Sequence, residues 1–226
     1  MKITFISDTH TKHYQLTEDL PGGDMIMFAG DMMSDGYSKD ELHDFCKWYN
    51  GLPYTHRVLI AGNHDRMFQM FPNSANAIVN QYDNLTYLQD EADQFEGVVV
   101  YGSPWQPEFH NWAFNLPRNS NELKAKWDTI PAGIDILMTH GPAQTYLDKS
   151  GFPYNQPLLG CELLKDWVEL NQPKIHVFGH IHGGAGYYFN GHTHFINASV
   201  LNEQYMYRNN PITVEWDKET NELKFI

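Results

Sequence analysis

The sequence predicts an α/β fold. Three observations carry that expectation. Short apolar runs rich in β-branched residues recur along the chain, segments with helical periodicity stand between them, and residues 185–226 hold strand patterns with no helix among them. The last of these makes part of the sheet antiparallel.

The runs come in order as Lys2–Ser7 (KITFIS), Asp24–Ala29 (DMIMFA), Arg57–Ala61 (RVLIA), Gly97–Tyr101 (GVVVY), Ile134–Thr139 (IDILMT) and Lys174–Phe178 (KIHVF). Each is short and bounded by polar residues, as buried strands are. A strand over Thr193–Ala198 and a hairpin of Ile212–Trp216 with Leu223–Ile226 follow. Between the second and third runs, Ser38 and Glu41 make a capping-box pattern, and Leu42, Phe45, Cys46 and Tyr49 fall on one helical face. A second helix spans about Cys161 to Leu170, with Leu163, Leu164, Trp167 and Val168 turned inward.

Composition narrows the classes. With 226 residues, 42% of them hydrophobic and 19% charged, the chain can bury a core and reads as one domain over residues 1–226. Two cysteines are too few for a disulfide framework or a four-thiolate zinc site. A net charge of −13 argues against extended nucleic-acid binding or an anionic membrane surface. Asp8 closes the first run so early that no signal peptide or span fits there, and the expected location is the cytoplasm.

The chemistry sits where the runs end. The first is followed by Asp8-Thr9-His10, the second by Gly30-Asp31 and the third by Gly62-Asn63-His64-Asp65. His140-Gly141 follows the fifth, and Gly179-His180-Ile181-His182 the sixth. Ligands of open α/β sheets bind beyond the carboxyl ends of the strands, so these groups are expected on one rim. Carboxylates, an amide oxygen and several imidazoles would overfill one ion's shell, whereas two divalent ions sharing a carboxylate would use them all. The oxygen and nitrogen set, free of thiolate, suits Mn, Fe or Zn.

The order D-x-H, G-D, G-N-H-D, H-G and G-H-x-H, from residue 8 to residue 182, resembles the calcineurin-like metallophosphoesterase superfamily. The segments Trp112–Arg118 (WAFNLPR), Asp135–Pro142 (DILMTHGP), Val177–His182 (VFGHIH) and Phe195–Ser199 (FINAS) resemble its brain metallophosphoesterase-domain subgroup, which is similar to class III cyclic-nucleotide phosphodiesterases. The resemblance implies a four-layer α-β-β-α sandwich of two mixed sheets flanked by helices. It implies that Asp8, His10 and His182 hold one metal, that Asn63, His140 and His180 hold a second, and that Asp31 bridges them. His64 would face the leaving group as acid or charge stabiliser, with Asp65 or the more distant Asp35 orienting it.

Taken singly these motifs have bland readings. D-x-H and G-D are commonly a turn and a cap, and G-N-H-D an Asx turn. Gly191-His192-Thr193-His194 repeats the G-H-x-H string, but it follows Asn190-Gly191, a type I′ hairpin signal, and no buried run leads into it. His192 and His194 therefore read as same-face residues of a structural strand. His13, His43, His56 and His176 read as surface or core, and Met25, Met27, Met32 and Met33 as core filler. The aromatic stretch Pro104–Arg118 is a candidate rim loop: Trp105, Phe109 or Trp112 would stack on a base, Arg118 would meet phosphate, and His110 is a weaker candidate contact.

The expected function is a phosphoesterase in which activated hydroxide attacks phosphorus in a phosphodiester, cyclic nucleotides included, or a phosphomonoester. Its substrate is a small phosphate ester or nucleotide. No Gly-Asp-x-Val-Asp-Arg-Gly run follows the second strand, where Asp31 is followed by Met32-Met33-Ser34-Asp35-Gly36, which argues against a protein phosphatase. A scaffold that kept the metals and lost the chemistry is the alternative, and a single-zinc amide or ester hydrolase is the third reading. Oligomeric state is not legible in the sequence.

Overall fold

A computed structural model describes residues 1–151 and 157–226. The strands are β1 (Lys2–Ile6), β2 (Gly23–Phe28), β3 (Tyr54–Leu59), β4 (Leu85–Tyr87), β5 (Glu91–Phe95), β6 (Val98–Ser103), β7 (Gln106–Pro107), β8 (Asn115–Leu116), β9 (Ile136–Thr139), β10 (Ile175–Phe178), β11 (Gly186–Phe189), β12 (His194–Asn197), β13 (Ile212–Asp217) and β14 (Glu222–Phe225). The helices are α1 (Lys39–Asn50), α2 (Arg66–Met70), α3 (Pro72–Val79), α4 (Asn121–Asp128) and α5 (Glu162–Asn171).

Two mixed six-stranded sheets form, in the orders β14-β13-β1-β2-β3-β4 and β11-β12-β10-β9-β6-β5. The central strands are parallel and apolar on both faces, because each face is covered. β5, β11, β13 and β14 pair antiparallel on the flanks. In the late stretch β12 pairs antiparallel with β11 and parallel with β10, which joins that stretch to the parallel centre of its sheet.

The sheets pack face to face through Ile3, Phe5, Met25, Met27 and Val58 on one side and Val100, Ile136, Met138, Val177 and Ile196 on the other. Each fully buried side chain of this size contributes roughly 1.5–3 kcal/mol. On the outer face of the first sheet, Ile26, Phe28 and Leu59 meet Leu42, Phe45 and Tyr49 of α1 and Phe68 and Ile78 of α2 and α3. On the outer face of the second, Tyr101, Leu137, Phe178 and Phe195 meet Leu123 and Trp127 of α4 and Leu164 and Val168 of α5. The result is the four-layer α-β-β-α arrangement. Met25, Met27, Met32 and Met33 are all buried in it.

Ser38 caps α1 by accepting the Glu41 amide at 3.2 Å. The reciprocal arm of a capping box is not made. Glu41 instead accepts from the amide and hydroxyl of Ser34 at 3.0 and 2.6 Å, which ties the turn after β2 to the helix. Among the described residues no helix is long and apolar enough to cross a membrane.

What places the chemistry is the meeting of the two sheets at their carboxyl ends. Ser7, just past β1, forms a parallel bridge with Ser199, just past β12, and the Val200 amide donates to the Ser7 carbonyl at 3.1 Å.

Candidate metal centre

At that rim the strand-end residues converge. The ligand atoms of Asp8, His10 and His182 lie within 4.8 Å of one another, as do those of Asp31, His140 and His180 and those of His10, Asp31 and His64. Backbone geometry makes this possible. Asp8, His10, Asp31 and His180 all take positive φ, at 56°, 40°, 62° and 66°, so the chain turns sharply as each strand ends. Glycine before a ligand keeps space for it. A Cβ at Gly62 would stand 2.3 Å from Asp31 Oδ1 and 2.6 Å from His140 Cε1, and one at Gly179 would stand 2.1 Å from Asp8 Oδ2.

The imidazoles are aimed by backbone carbonyls. His140 Nδ1 contacts the Ala29 carbonyl at 2.9 Å, His182 Nδ1 that of Asn202 at 3.0 Å and His10 Nδ1 that of Met33 at 3.3 Å. A carbonyl only accepts, so Nδ1 carries the proton and Nε2 faces the site with its lone pair. His140 Nε2 then lies 2.9 Å from Asn63 Oδ1 and 3.3 Å from Asp31 Oδ2. His182 Nε2 lies 3.4 Å from Asp8 Oδ1, and His10 Nε2 is buried without a hydrogen bond among the described residues, 3.7 Å from Asp31 Oδ2. Lone pairs this close need a cation between them, either a proton on the ring or a metal ion. The donor set, its orphaned nitrogen and its carbonyl-backed imidazoles fit divalent metal.

Electrostatics sharpen the point. Burial opposes charge at Asp8 and Asp31, yet His182 beside the first and His140 beside the second hold both carboxyls well below their ordinary range. Burial likewise opposes charge on His140 and His182, but Asp31 and Asp8 push both up to about 9. Burial pushes His10 down to about 4 against the pull of Asp31, and pushes His180, which also faces His140, down to about 3.

Asp8 is further held by Ser199, whose hydroxyl donates to it at 2.7 Å, and by the His180 amide at 3.0 Å. Ser199 was not singled out from the sequence, although its segment FINAS was. Tyr205 was missed altogether: its ring packs 4.9 Å from that of His10 and 5.4 Å from that of His182. It sits in a polar loop without periodicity, so nothing in the pattern marks it.

His64 stands at the mouth. Its amide donates to Asp31 Oδ1 at 2.7 Å, its Nδ1 meets the Ser34 carbonyl, and its ring stacks on Trp112 with centroids 3.9 Å apart. Asp65 does not orient that ring. It is buried and accepts the amides of Asp31, Met33 and Gly62 at 2.8, 2.9 and 2.7 Å, because a carboxylate at that depth is satisfied best by the turn amides around it. Burial and Asp31 push it up to about 7 while those amides pull it back. Asp35 accepts the Tyr37 amide instead of facing His64.

The rim loop divides. Phe109 sets its ring edge-on to His180 at 5.5 Å and Trp112 covers His64, whereas Trp105 donates to Asp90 at 2.9 Å and packs under Lys126. Arg118, the expected phosphate contact, lines the cavity beside His180 and His182. Its guanidinium donates to the carbonyls of Leu159 and Gly160 and to Glu162, all within 2.8 Å, so those donors hold the 159–162 loop. His110 is exposed and packs on Phe109 at 4.3 Å, outside the ligand clusters.

The repeated G-H-x-H string lies at the other end of the sheet. His194 pairs with Ile175 at the start of β10, and its ring meets Tyr187 and the Asn221 carbonyl, both at 2.8 Å. Asn190-Gly191 does not form a two-residue type I′ turn. Phe189 pairs with His194, so four residues close the hairpin, with Asn190 Oδ1 accepting the amides of His192 and Thr193, and His192 is exposed in the loop.

A cavity of about 520 Å³ opens beside His180 and His182, with Phe109, Tyr205, Glu203 and Gln106 in its walls. A larger, more open hollow of about 1160 Å³ lies along the β13–β14 hairpin and contains no strand-end motif residue.

Comparison with known proteins agrees with this architecture. The family model described as calcineurin-like phosphoesterase matches residues 1–184. The chain is 38% identical over 231 residues to metallophosphoesterase domain-containing protein 1 of Homo sapiens, covering 93% of this chain and 69% of that protein. It is 35% identical over 239 residues to the Caenorhabditis elegans UPF0046 protein T07D4.2, covering 94% of this chain and 59% of that one. The crystal structure of TT1561 of Thermus thermophilus shares the fold, with a TM-score of 0.63 at 15% identity over 99% of this chain and 97% of that chain. With the motif order, the sandwich and these matches in agreement, the chain belongs to the calcineurin-like phosphoesterase family.

Proposed function

We propose that this protein is a cytoplasmic, dimetal-dependent phosphoesterase that hydrolyses a phosphodiester of nucleotide size. One observation carries the reading: Asp31 Oδ2 lies between His10 of one ligand cluster and His140 of the other, at 3.7 and 3.3 Å. Asp8, His10 and His182 would hold one ion and Asn63, His140 and His180 the other, with Asp31 shared; Mn, Fe and Zn all suit these donors. Bound there, the pair would supply Lewis acidity toward the phosphate oxygens and toward water near neutral pH.

The chain's own groups do the rest. Because Nδ1 of His64 is committed to the Ser34 carbonyl, Nε2 is the nitrogen that exchanges a proton with the leaving oxygen. Asp8, Asp31 and the carbonyl-backed imidazoles are fixed before substrate arrives, so little reorganisation accompanies the reaction. The cavity beside His180 offers Phe109 as a flat apolar wall for the remainder of the ester. Preference for a diester rests on the subgroup resemblance of the WAFNLPR, DILMTHGP, VFGHIH and FINAS segments. The two thiols, Cys46 and Cys161, are free and buried, in keeping with a reducing compartment.

The test is hydrolysis of bis(p-nitrophenyl) phosphate by metal-stripped protein as Mn²⁺ is added, with p-nitrophenyl phosphate in parallel and His64→Ala as the control. Metal-dependent diester turnover, with His64→Ala losing activity on a phenyl diester while the metal stays bound, supports the proposal. Folded, two-metal protein that turns over neither ester overturns it in favour of a silent scaffold, and one tightly held ion per chain overturns the dinuclear part.

A further inference from the structure

We propose that Trp112 is a positioning residue for His64, an inference that rests on the reading of His64 as the acid at the leaving group. The indole and imidazole stack with centroids 3.9 Å apart and planes 26° apart. This is no loose loop contact, because three hydrogen bonds tie the residues flanking Trp112 to the segment that carries His64. Arg66 donates to the Asn111 carbonyl, the Ala113 amide to the Asn63 carbonyl at 3.0 Å, and the Phe114 amide to Gln69 Oε1 at 2.8 Å. The Arg66 guanidinium also lies 4.6 Å from the Trp112 ring centroid and 5.4 Å from that of Tyr37. The indole therefore has a cation–π contact of its own that holds it in place.

His64 needs such a partner. Its ring is otherwise held by the Ser34 carbonyl at Nδ1 and an edge contact with His10, centroids 4.6 Å apart. One hydrogen bond leaves an imidazole free to swing about the line from Nδ1 to the carbonyl. A flat contact on the ring face removes that freedom, because tilting the ring would open the stack. The direction of Nε2 is thus set jointly by Ser34, just after the second strand, and by Trp112, in the aromatic loop. Misplacing a reacting group by about 1 Å can reduce a rate on the order of 100-fold, so the stack acts through the proton transfer and not through substrate affinity.

The experiment uses metal-loaded protein and aryl phosphodiesters whose leaving phenols differ in acidity. p-Nitrophenolate departs without a proton, whereas phenolate needs one. Trp112→Ala should lower kcat roughly 10–100-fold on the phenol ester and only about 3-fold or less on the p-nitrophenol ester. KM should stay within about 2-fold, metal content should stay normal, and Trp112→Phe should restore most of the rate. In a His64→Ala background the loss of the indole should add nothing. An independent readout is the His64 imidazole C–H resonances, displaced upfield by the indole ring current in the parent protein and returned in Trp112→Ala. Equal losses across the ester series, or an undiminished loss in the His64→Ala background, would overturn the proposal and leave Trp112 as loop packing. Full phenol-ester activity in His64→Ala alone overturns the reading of His64 itself, and that outcome involves no Trp112 variant.

Discussion

The Asp65 carboxylate accepts the backbone amide of Asp31 at 2.8 Å, so the residue that follows His64 fixes the turn from which the shared carboxylate projects. Its other oxygen takes the Met33 amide at 2.9 Å, and Gly62 closes the set at 2.7 Å. Two of the strand ends are thereby locked to one buried group.

Asp65→Asn keeps the shape and removes one acceptor, leaving buried amides against an NH₂ group. The expected loss is roughly 2–4 kcal/mol of unfolding free energy. Urea unfolding at pH 8 with chelator present reads this without a contribution from metal. A loss below about 0.5 kcal/mol would mean the turn holds without its carboxylate.

Gly179→Ala should disable the first ligand cluster while the fold persists. The added methyl would meet Asp8 Oδ2 and Ser7 Oγ, both at 2.1 Å, and one of them has to move. Displacing Asp8 also breaks its hydrogen bond from Ser199. Affinity for one of the two ions should fall about 10–100-fold, as when a ligand's support is lost. Metal titration followed by calorimetry checks it, and two intact sites in the variant would contradict the geometry.

Metal should stabilise the protein measurably. An ion that binds only the folded state, supplied at about 100 times its Kd, adds about 2.7 kcal/mol. For a chain of this length that raises Tm by about 5–11 °C. His180→Ala, which removes a nitrogen from the second cluster, should shrink the rise. Scanning with Mn²⁺ and with chelator decides it; an unchanged Tm would count against a metal centre.

His176 supplies a pH dependence away from the centre. It is fully buried beneath Phe178 and Phe195, its Nε2 meets Thr139 Oγ1 at 2.8 Å, and its Nδ1 has no partner among the described residues. Burial pushes it down to about 3 from 6.5. The unfolded chain therefore takes up a proton that the folded one refuses, and the stability this residue confers is lost as pH falls from about 6.5 toward 3. The slope is about 1.4 kcal/mol per pH unit, or roughly 2 kcal/mol between pH 6.5 and 5. The stability difference between the parent and His176→Gln, both with chelator, should shrink by that amount over the interval. A constant difference would show that His176 is protonated in the fold.

The strand-end residues were legible because parallel strands buried on both faces are continuous apolar runs, and such runs mark their own carboxyl ends. Asp8, Asp31, Asn63, His140 and His180 are found by looking just past them. β5 escaped because an edge strand with the sequence EADQF, its side chains exposed or half-buried, has no reason to be apolar. β4, with three residues, gives no period to read. The contacts of Trp112 with His64 and of Tyr205 with His10 join loops far apart in the chain, and no local pattern encodes them. The string at 191–194 shows the converse. Its four-residue hairpin loop and the pairing of His194 with Ile175 set it at the amino end of the sheet, so identical letters take a different meaning from the direction of the strand beside them.

The left-handed backbone at Asp8, His10, Asp31 and His180 has a consequence for how such a chain ages under mutation. Each of these non-glycine residues sits in a conformation that costs about 1 kcal/mol relative to glycine, so the rest of the sandwich carries the centre as a standing load. A lineage released from the need to bind metal would gain stability by replacing these four first, well before its core began to drift.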